Sequence, residues 1–328
     1  MLYYLLDLLT LGCISAIMVL GFNLQYGYAG ILNFTYYTFV AVGAYIAAVT
    51  TMGPPNPNVG QETYILQWSL PWPVGLVLGG LAAALVGLFV VFVAVRRLRS
   101  DYLAIVTVSV GLIIWNVITN DVPLFDGSNG IFGVPPVTGN LPISAEGGNL
   151  VMLALSFVVM LICLWLVARI YNSPFGRVLR AIREDVIVAQ TFGKGVTAAQ
   201  IWTFAIGCFM GGVSGGLLVF YISAWNPASF LPLETFVLLA AIVIGGTGSY
   251  WGALLGAFAV VEGLAEITRF LPSFGRPDLV GAVRGVVIGV VLILVLRYKS
   301  EGLIPERPLS FYRNLKRATP PKDKVTQP

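Results

Sequence analysis

GYAGILNFTYYTFVAVGAY, residues 27–45, is a glycine-broken and partly polar stretch inside a hydrophobic chain. It carries Gly27 and Gly30 three residues apart, together with an Asn, two Thr and four Tyr. Glycine lets the backbone leave helical geometry. Unwound backbone at membrane depth is tolerated where it borders a cavity or buried protein. We therefore predict a broken or re-entrant helix near residues 23–35.

The composition around this stretch is that of an integral membrane protein. Of the 328 residues, 57% are hydrophobic and 10% are charged, and the mean hydropathy is +0.87. Because a helix crosses the hydrocarbon core in about 20 residues, the long apolar runs predict an all-α polytopic protein with about 8–10 transmembrane helices. The candidate spans are residues 3–24, 28–50, 72–95, 102–120, 149–169, 200–223, 232–248, 250–268 and 280–297.

The basic residues predict the orientation of these spans. Most of them fall into three clusters, at 96–99, at 169–194 and from 297 onward. An even number of predicted spans separates each cluster from the next, so all three lie on one side, which the positive-inside rule identifies as the cytoplasm. We expect a multi-pass inner-membrane protein with a transmembrane domain over 1–300 and a disordered cytoplasmic tail over 301–328. The side of the N-terminus stays open, because it depends on whether 28–50 crosses fully.

The sequence argues against catalytic and metal chemistry. It contains no His, and Cys13, Cys163 and Cys208 all fall within apolar spans. The segment 212–216 matches G-x-S-x-G, but no His or intramembrane Lys is available as a base for its serine. The net charge of +4 reflects the cytoplasmic loops and contact with anionic lipid, so nucleic acid is not an expected partner.

Two glycine series predict close helix packing. Gly207, Gly211 and Gly215 recur every four residues, and Gly281, Gly285 and Gly289 repeat the spacing in the last span. Small residues at this spacing let a neighbouring helix approach closely. The neighbour is either within this chain or in a partner subunit.

The segment NSPFGRVLRAIREDVIVAQTFGKGV, residues 172–196, predicts a cytoplasmic amphipathic helix over about 174–192. Ser173 suits the N-cap, Pro174 the first helical position and Gly193 the left-handed C-terminal position. Its apolar residues share one face and its charged residues occupy most of the rest. Two interpretations remain: a solvated loop helix, or a coupling helix whose apolar face docks on a cytoplasmic partner.

Several motifs in order resemble the LivM-type permeases, membrane subunits of ABC importers for branched-chain amino acids. They are NLQYGYAGILNF (23–34), GSNGIFGVP (127–135), SPFGRVLRAIRED (173–185), NPASF (226–230) and GGTGSYWGALLGA (245–257). The chain departs from the family pattern at NFTYYTF, which bears on substrate identity, and at Gln190 in the cytoplasmic segment.

The resemblance implies an importer permease that pairs with a related second permease subunit. Substrate would come from an external binding protein, and two cytoplasmic ATPase subunits would use ATP and Mg, with no cofactor bound by this chain. The chain has no G-x-x-x-x-G-K-[ST] motif, so it is not the ATPase. Branched-chain amino acids are the expected substrate. The alternatives are urea, amides, other amino acids, or a secondary transporter.

Candidate site residues follow from these patterns. Those expected along the substrate pathway are Asn23, Gln25, Tyr26, Gly27, Gly30, Asn33 and Thr35. Those expected at the ATPase contact are Arg177, Arg180, Arg183, Glu184 and Asp185, with Val178, Leu179 and Ile182 as the packing anchor. Glu262, Glu266 and Arg284 form either a charged site for a zwitterionic amino acid or mutual pairs near the outer interface.

Overall fold

The computed structural model describes residues 2–54, 64–95, 100–139, 145–230, 232–269, 277–299 and 302–306. It is built almost entirely from helices, with a single pair of two-residue strands in the described part. The α-helices are α1 (Leu2–Asn23), α2 (Tyr36–Thr51), α3 (Trp72–Val95), α4 (Ser100–Asn120), α5 (Val122–Phe125), α6 (Ala145–Asn172), α7 (Pro174–Glu184), α8 (Val186–Thr191), α9 (Val196–Ile222), α10 (Pro232–Gly245), α11 (Tyr250–Gly256), α12 (Leu264–Arg269) and α13 (Pro277–Tyr298).

Among the described residues, six helical segments are long and apolar enough to cross a membrane. They are Tyr3–Tyr28, Trp72–Phe92, Tyr102–Asn120, Gly147–Asn172, Val196–Ile222 and Tyr250–Ile267. Three shorter apolar helices, Tyr36–Thr51, Glu234–Gly245 and Gly285–Tyr298, accompany them. The prediction of an all-α polytopic membrane protein is confirmed.

The innermost packing joins α2, α3 and α9, where backbones approach without intervening side chains. A Cβ added at Gly43 in α2 would collide with the backbone of Gly212 in α9, and one at Gly215 would collide with the carbonyl of Val40. Because lipid provides no hydrophobic force between helices, such close backbone contact is what holds a membrane bundle together.

One end of the bundle carries the two short strands and the loops around them. We call it the hairpin end, although its two strands are far apart in the sequence. β1 (Ile131–Phe132) pairs antiparallel with β2 (Ala224–Trp225), with Ile131 opposite Trp225. The Trp115 indole N–H donates to the Pro227 carbonyl at 3.0 Å. The start of α1 belongs to this end, because the Tyr221 hydroxyl in the last turn of α9 donates to Asp7 Oδ1 at 2.8 Å.

The opposite end, the α7 end, gathers α7, the segment after α1, the turn at 245–249 and residues 302–306. Leu303 and Ile304 donate backbone hydrogen bonds to the carbonyls of Ile244 and Gly245, both at 2.9 Å. Residues 302–306 are therefore packed on the membrane domain, although the sequence assigned them to the tail. The rest of the predicted tail, from 307 onward, lies outside the described residues.

The predicted amphipathic helix over 174–192 is two helices instead of one. Its N-cap is confirmed, since Ser173 accepts from the Gly176 N–H. Asp185 then ends α7 with extended backbone and caps α8, accepting from the N–H groups of Ile187 and Val188. Aspartate prefers this capping position to a helix interior, which explains the break. The predicted left-handed Gly193 is also confirmed, with φ +69°.

Candidate functional site

The helix break predicted near residues 23–35 is present. After Asn23 the helix widens into a π-helical turn over Leu24–Tyr28, and the chain then runs without regular helix until α2 begins at Tyr36. Gly30 has φ +68°, a conformation that favours glycine. The Ile31 N–H donates to the Gln25 carbonyl at 2.9 Å, so local backbone bonds stabilise part of the break.

A buried network of polar side chains braces the break from inside. Gln25 Nε2 donates to the Phe204 carbonyl of α9 at 2.9 Å, and its Oε1 accepts from Asn33 Nδ2 at 3.0 Å. Asn33 Oδ1 in turn accepts from the Thr35 N–H at 3.2 Å. The Thr35 hydroxyl donates to the Thr107 carbonyl of α4. Gln25 and Asn33 have no solvent exposure, so this network satisfies their buried amide groups and ties the break to α9 and α4.

Asn23 ties the end of α1 to the turn between α10 and α11. Its Nδ2 donates to the Ser249 carbonyl, and its Oδ1 accepts from the Gly248 N–H, both at 3.2 Å. A Cβ at Gly27 would collide with Asn23 Oδ1 and lie 2.7 Å from the Gly248 nitrogen. Gly27 therefore lets the broken segment lie directly against this turn.

The residues predicted to line a pathway are thus brought together, but in a closed arrangement. Asn23, Gln25, Asn33 and Thr35 are buried and hydrogen-bonded to the protein itself, and Tyr26 is half-buried. The sequence allowed two roles for these groups, contact with a solute or satisfaction of the freed backbone. In this conformation these side chains bond to other groups of the protein, among them the freed Thr35 N–H, and the pathway role stays a prediction.

Arg183 joins the broken segment to the α7 end. Its Nη1 donates to the Gly27 carbonyl, and its Nη2 lies 2.6 Å from Glu306 Oε2. Arg180, one turn earlier, donates to the Tyr171 carbonyl and stacks over the Tyr171 ring, with Cζ 4.5 Å from the ring centroid. These two arginines, predicted to face an ATPase, contact this chain in the structure, and their contact with an ATPase stays a prediction. Sequence reasoning missed Glu306, which is 123 positions away from Arg183.

The predicted packing anchor also faces inward. Leu179 is 0% and Ile182 is 1% exposed, so neither is available to a partner in this structure. The exposed residues on this surface include Arg177, Glu184 and Asp185. They also include an apolar set on and after α8 that the sequence reasoning did not single out: Ile187 (72% exposed), Val188 (48%) and Phe192 (77%). We call these three residues the α8 patch.

A cavity of about 400 Å³ lies between α1, α9, α10 and the π-helical segment Ala257–Gly263, toward the hairpin end. The Ser15 hydroxyl of α1 donates to Glu262 Oε1 at 2.5 Å, and both residues line the cavity. Ser15 lies at the middle of the span Tyr3–Tyr28, so Glu262 is deeper than its expected place near the outer interface. The lining residues are Leu11, Ser15, Met18, Tyr37, Phe132, Leu218, Ile222, Ala224, Trp225, Asn226, Glu234, Val237, Leu238, Val261, Glu262 and Ala265.

The other two ionisable residues predicted near this site, Glu266 and Arg284, are not part of the described cavity lining. Glu266 Oε2 accepts from the Tyr4 hydroxyl at 2.6 Å, outside the cavity lining. The side chain of Arg284 lies outside the described residues. Within the described parts of the chain, no group of three His, Cys, Asp or Glu residues is placed to hold a metal ion.

The two glycine series differ in their surroundings. A Cβ at Gly207 would lie 2.6 Å from Gln25 Nε2, and one at Gly211 would lie 3.0 Å from the Tyr36 hydroxyl. With Gly215, this series therefore packs against the broken segment and α2. Gly285 and Gly289 have no atom of this chain within 4 Å of an added Cβ. The surroundings of Gly281 lie outside the described residues, and packing of the second series against a partner stays a prediction.

Known proteins match the chain over most of its length. A sequence model of the family described as "Branched-chain amino acid transport system / permease component" matches residues 4–296. No solved structure matches significantly.

Two LivM relatives and one LivH relative illustrate the match. The high-affinity branched-chain amino acid transport system permease protein LivM of Salmonella typhimurium is 29% identical over 322 residues, covering 91% of this chain and 69% of the relative. The probable branched-chain amino acid transport permease protein LivM of Methanocaldococcus jannaschii is 27% identical, covering 89% of this chain and 91% of the relative. The probable LivH of the same organism is also 27% identical, covering 88% of this chain and 88% of the relative. The chain belongs to the family of branched-chain amino acid transport system permease components.

Proposed function

We propose that this chain is a membrane-spanning permease subunit of an ATP-driven importer that carries branched-chain amino acids into the cytoplasm. The observation that carries the proposal is the family match over residues 4–296. Relatives named as LivM and as LivH both align along nearly the whole chain, which supports pairing with a related second permease subunit. An external binding protein delivers the substrate, and two ATPase subunits hydrolyse ATP with Mg.

The α7 end is the cytoplasmic side in this proposal, and the C-terminus lies there too. The basic clusters support that sidedness through the positive-inside rule. The membrane is the cell inner membrane. The substrate passes from the hairpin end toward the break at 24–35, whose side chains must exchange their internal bonds for the solute as the pathway opens.

The α8 patch is the proposed docking point for an ATPase subunit, with Arg177 and Glu184 as its polar rim. Exposed apolar side chains bordered by charged groups are typical of a protein–protein interface, so a groove on a soluble partner would bury them. Arg183 links that docking point to the break, because α8 follows α7 directly after Asp185 and the α7 residue Arg183 donates to the Gly27 carbonyl. Closure of the ATPase dimer then moves α7 and, through Arg183, the broken segment.

Uptake by the reconstituted complex tests the proposed function. The chain, its second permease, both ATPase subunits and the binding protein are assembled in proteoliposomes, and uptake of leucine, valine, urea and an amide is measured with and without ATP. The expected result is ATP-dependent and binding-protein-dependent leucine uptake. Uptake that persists without ATP identifies a secondary transporter, and uptake of urea alone identifies a different substrate class.

Co-purification tests the docking point separately. In the double variant Ile187→Ser and Phe192→Ser, recovery of ATPase subunits with the tagged chain is expected to fall about tenfold, because the apolar anchors are removed. Thr191→Ala, an exposed substitution on the same short helix, serves as the matched control and should leave recovery unchanged. Equal recovery in both variants contradicts the docking point and leaves the transport proposal intact.

A further inference from the structure

The cavity beside Glu262 combines acidic groups with aliphatic walls. Two carboxylates, those of Glu234 and Glu262, line it, and no Lys or Arg is among the lining residues that the structure describes. Six of the fourteen other lining residues are Leu, Ile, Val or Met on α1, α9 and α10. Its volume of about 400 Å³ lies within the usual range for small-molecule sites. Such a lining attracts a cation that also carries an aliphatic group.

The depth of Glu262 makes its carboxylate costly unless it serves a ligand or a pathway. Glu262 meets Ser15 at the middle of the span Tyr3–Tyr28. An ionisable side chain at that depth is expensive and typically marks a substrate or ion route. Glu262 also projects from a π-helical segment, a widened turn that occurs frequently at functional sites.

The cavity leads from the hairpin end toward the helix break. Phe132, Ala224 and Trp225 line it at the hairpin end, and Met18 and Tyr37 line it on the side of the break. Met18 precedes Asn23 by five residues, which is about 7.5 Å along a helix. A solute that enters from the hairpin end therefore stops just before the buried network of Gln25 and Asn33.

We propose that this cavity is an intermediate binding site for an aliphatic L-amino acid, with the ammonium group held by Glu262 and Glu234 and the side chain held by the Leu, Ile and Val walls. This inference rests on the proposed function. Tyr37 and Asn226 supply hydroxyl and amide groups that can donate hydrogen bonds to the amino acid carboxylate. The site selects for a protonated amine, and neutral urea or amides gain nothing from its carboxylates.

The test uses the complete transporter in proteoliposomes with the binding protein present. Glu262→Gln and Glu234→Gln remove the charge, and Ala265→Phe fills the cavity. Glu266→Gln, one turn further along and outside the lining, and Ala259→Phe, on the exposed side of the π-helical segment, are the matched controls. Three quantities are measured: leucine uptake, binding of labelled leucine to the complex without ATP, and ATP hydrolysis stimulated by the binding protein.

Each cavity variant is expected to lower leucine uptake and leucine binding roughly tenfold or more, because a hydrogen bond to a charged group is lost or the space is filled. Assembly yield and stimulated ATP hydrolysis should stay within about twofold of wild type, as should all readouts of both controls.

Three outcomes overturn the inference. Cavity variants that take up and bind leucine like the controls exclude the site, while wild-type uptake leaves the proposed function standing. A parallel fall in Glu262→Gln and Glu266→Gln with reduced assembly yield assigns Glu262 a structural role instead. Absence of any leucine uptake by the wild-type complex removes the proposed function itself, and the cavity inference with it.

Discussion

Arg183 connects three parts of the chain that are remote in sequence. Its guanidinium contacts the Gly27 carbonyl after α1 and the Glu306 carboxylate beyond α13. A planar guanidinium can serve both acceptors at once because its N–H donors point in fixed, separate directions. The pair is largely shielded, with 27% and 20% side-chain exposure, so it is screened less than a surface ion pair.

A double-mutant cycle measures this connection. Arg183→Met and Glu306→Gln, alone and combined, are compared by thermal unfolding of the isolated chain in detergent. The expected interaction energy is about 0.5–3 kcal/mol, the range for residues in direct contact. Arg177→Met combined with Glu306→Gln is the control, because Arg177 is exposed and makes no described contact with Glu306. Additive effects in the Arg183 cycle contradict the link.

Gln25 has the same bridging role inside the membrane. We expect Gln25→Leu to destabilise the isolated chain by about 1–3 kcal/mol, because it leaves the buried Asn33 amide without its acceptor. Gln190→Leu, an exposed glutamine on α8, is expected to change stability by less than about 0.5 kcal/mol. Thermal unfolding of both variants in the same detergent makes the comparison. An unchanged midpoint for Gln25→Leu means that the break does not depend on this network.

At the scale of elements, the two glycine series predict opposite responses to one added methyl group. Gly215→Ala places a Cβ against the Val40 carbonyl, a backbone atom that moves only if α2 moves, so we expect a loss of about 1–3 kcal/mol. Gly289→Ala meets nothing within 4 Å and should leave the isolated chain as stable as before, or slightly more helical.

Unfolding midpoints of the two glycine variants, measured without partner subunits, test this contrast. A Gly289→Ala variant that is stable alone but recovers less of the second permease subunit would favour the prediction that this series faces a partner. Similar destabilisation of both variants would instead mean that α13 packs differently from the arrangement described.

Sequence patterns predicted where helices begin, end and break better than they predicted which parts of the chain pack against them. Glycine spacing and span length located the break near 23–35, and the Ser173 and Gly193 positions followed from capping chemistry. The apolar face of α7 was also correctly identified, but periodicity does not say what covers a face. Leu179 and Ile182 turned out to be covered by the chain itself. The sequence predicts Asp185 at the ATPase contact, although aspartate's preference for a helix N-cap was also a signal for the break between α7 and α8.

Contacts between distant residues could not be predicted from one sequence. Nothing in the sequence indicates that Glu306 meets Arg183, or that Ser15 meets Glu262 across 247 positions. The depth of Glu262 was misjudged for the same reason, because depth depends on how α1 lies beside the π-helical segment. These contacts define the candidate sites. The sites could therefore be identified only from the three-dimensional structure, whereas the fold class could be predicted from the sequence.

At the scale of the whole molecule, the start of α1 and the end of α9 lie together at the hairpin end, away from α7. Combined with the positive-inside rule, this arrangement predicts that the N-terminus faces outward. Single cysteines at Tyr3, Ser128 and Thr191, introduced after the three buried native cysteines are replaced, test the prediction with a membrane-impermeant maleimide on intact and permeabilised cells. Tyr3→Cys and Ser128→Cys should react in intact cells, whereas Thr191→Cys, on α8, should react only after permeabilisation. If Tyr3→Cys, like Thr191→Cys, reacts only after permeabilisation, the start of α1 faces the cytoplasm and the prediction is wrong. The cavity would then have to open toward the cytoplasm.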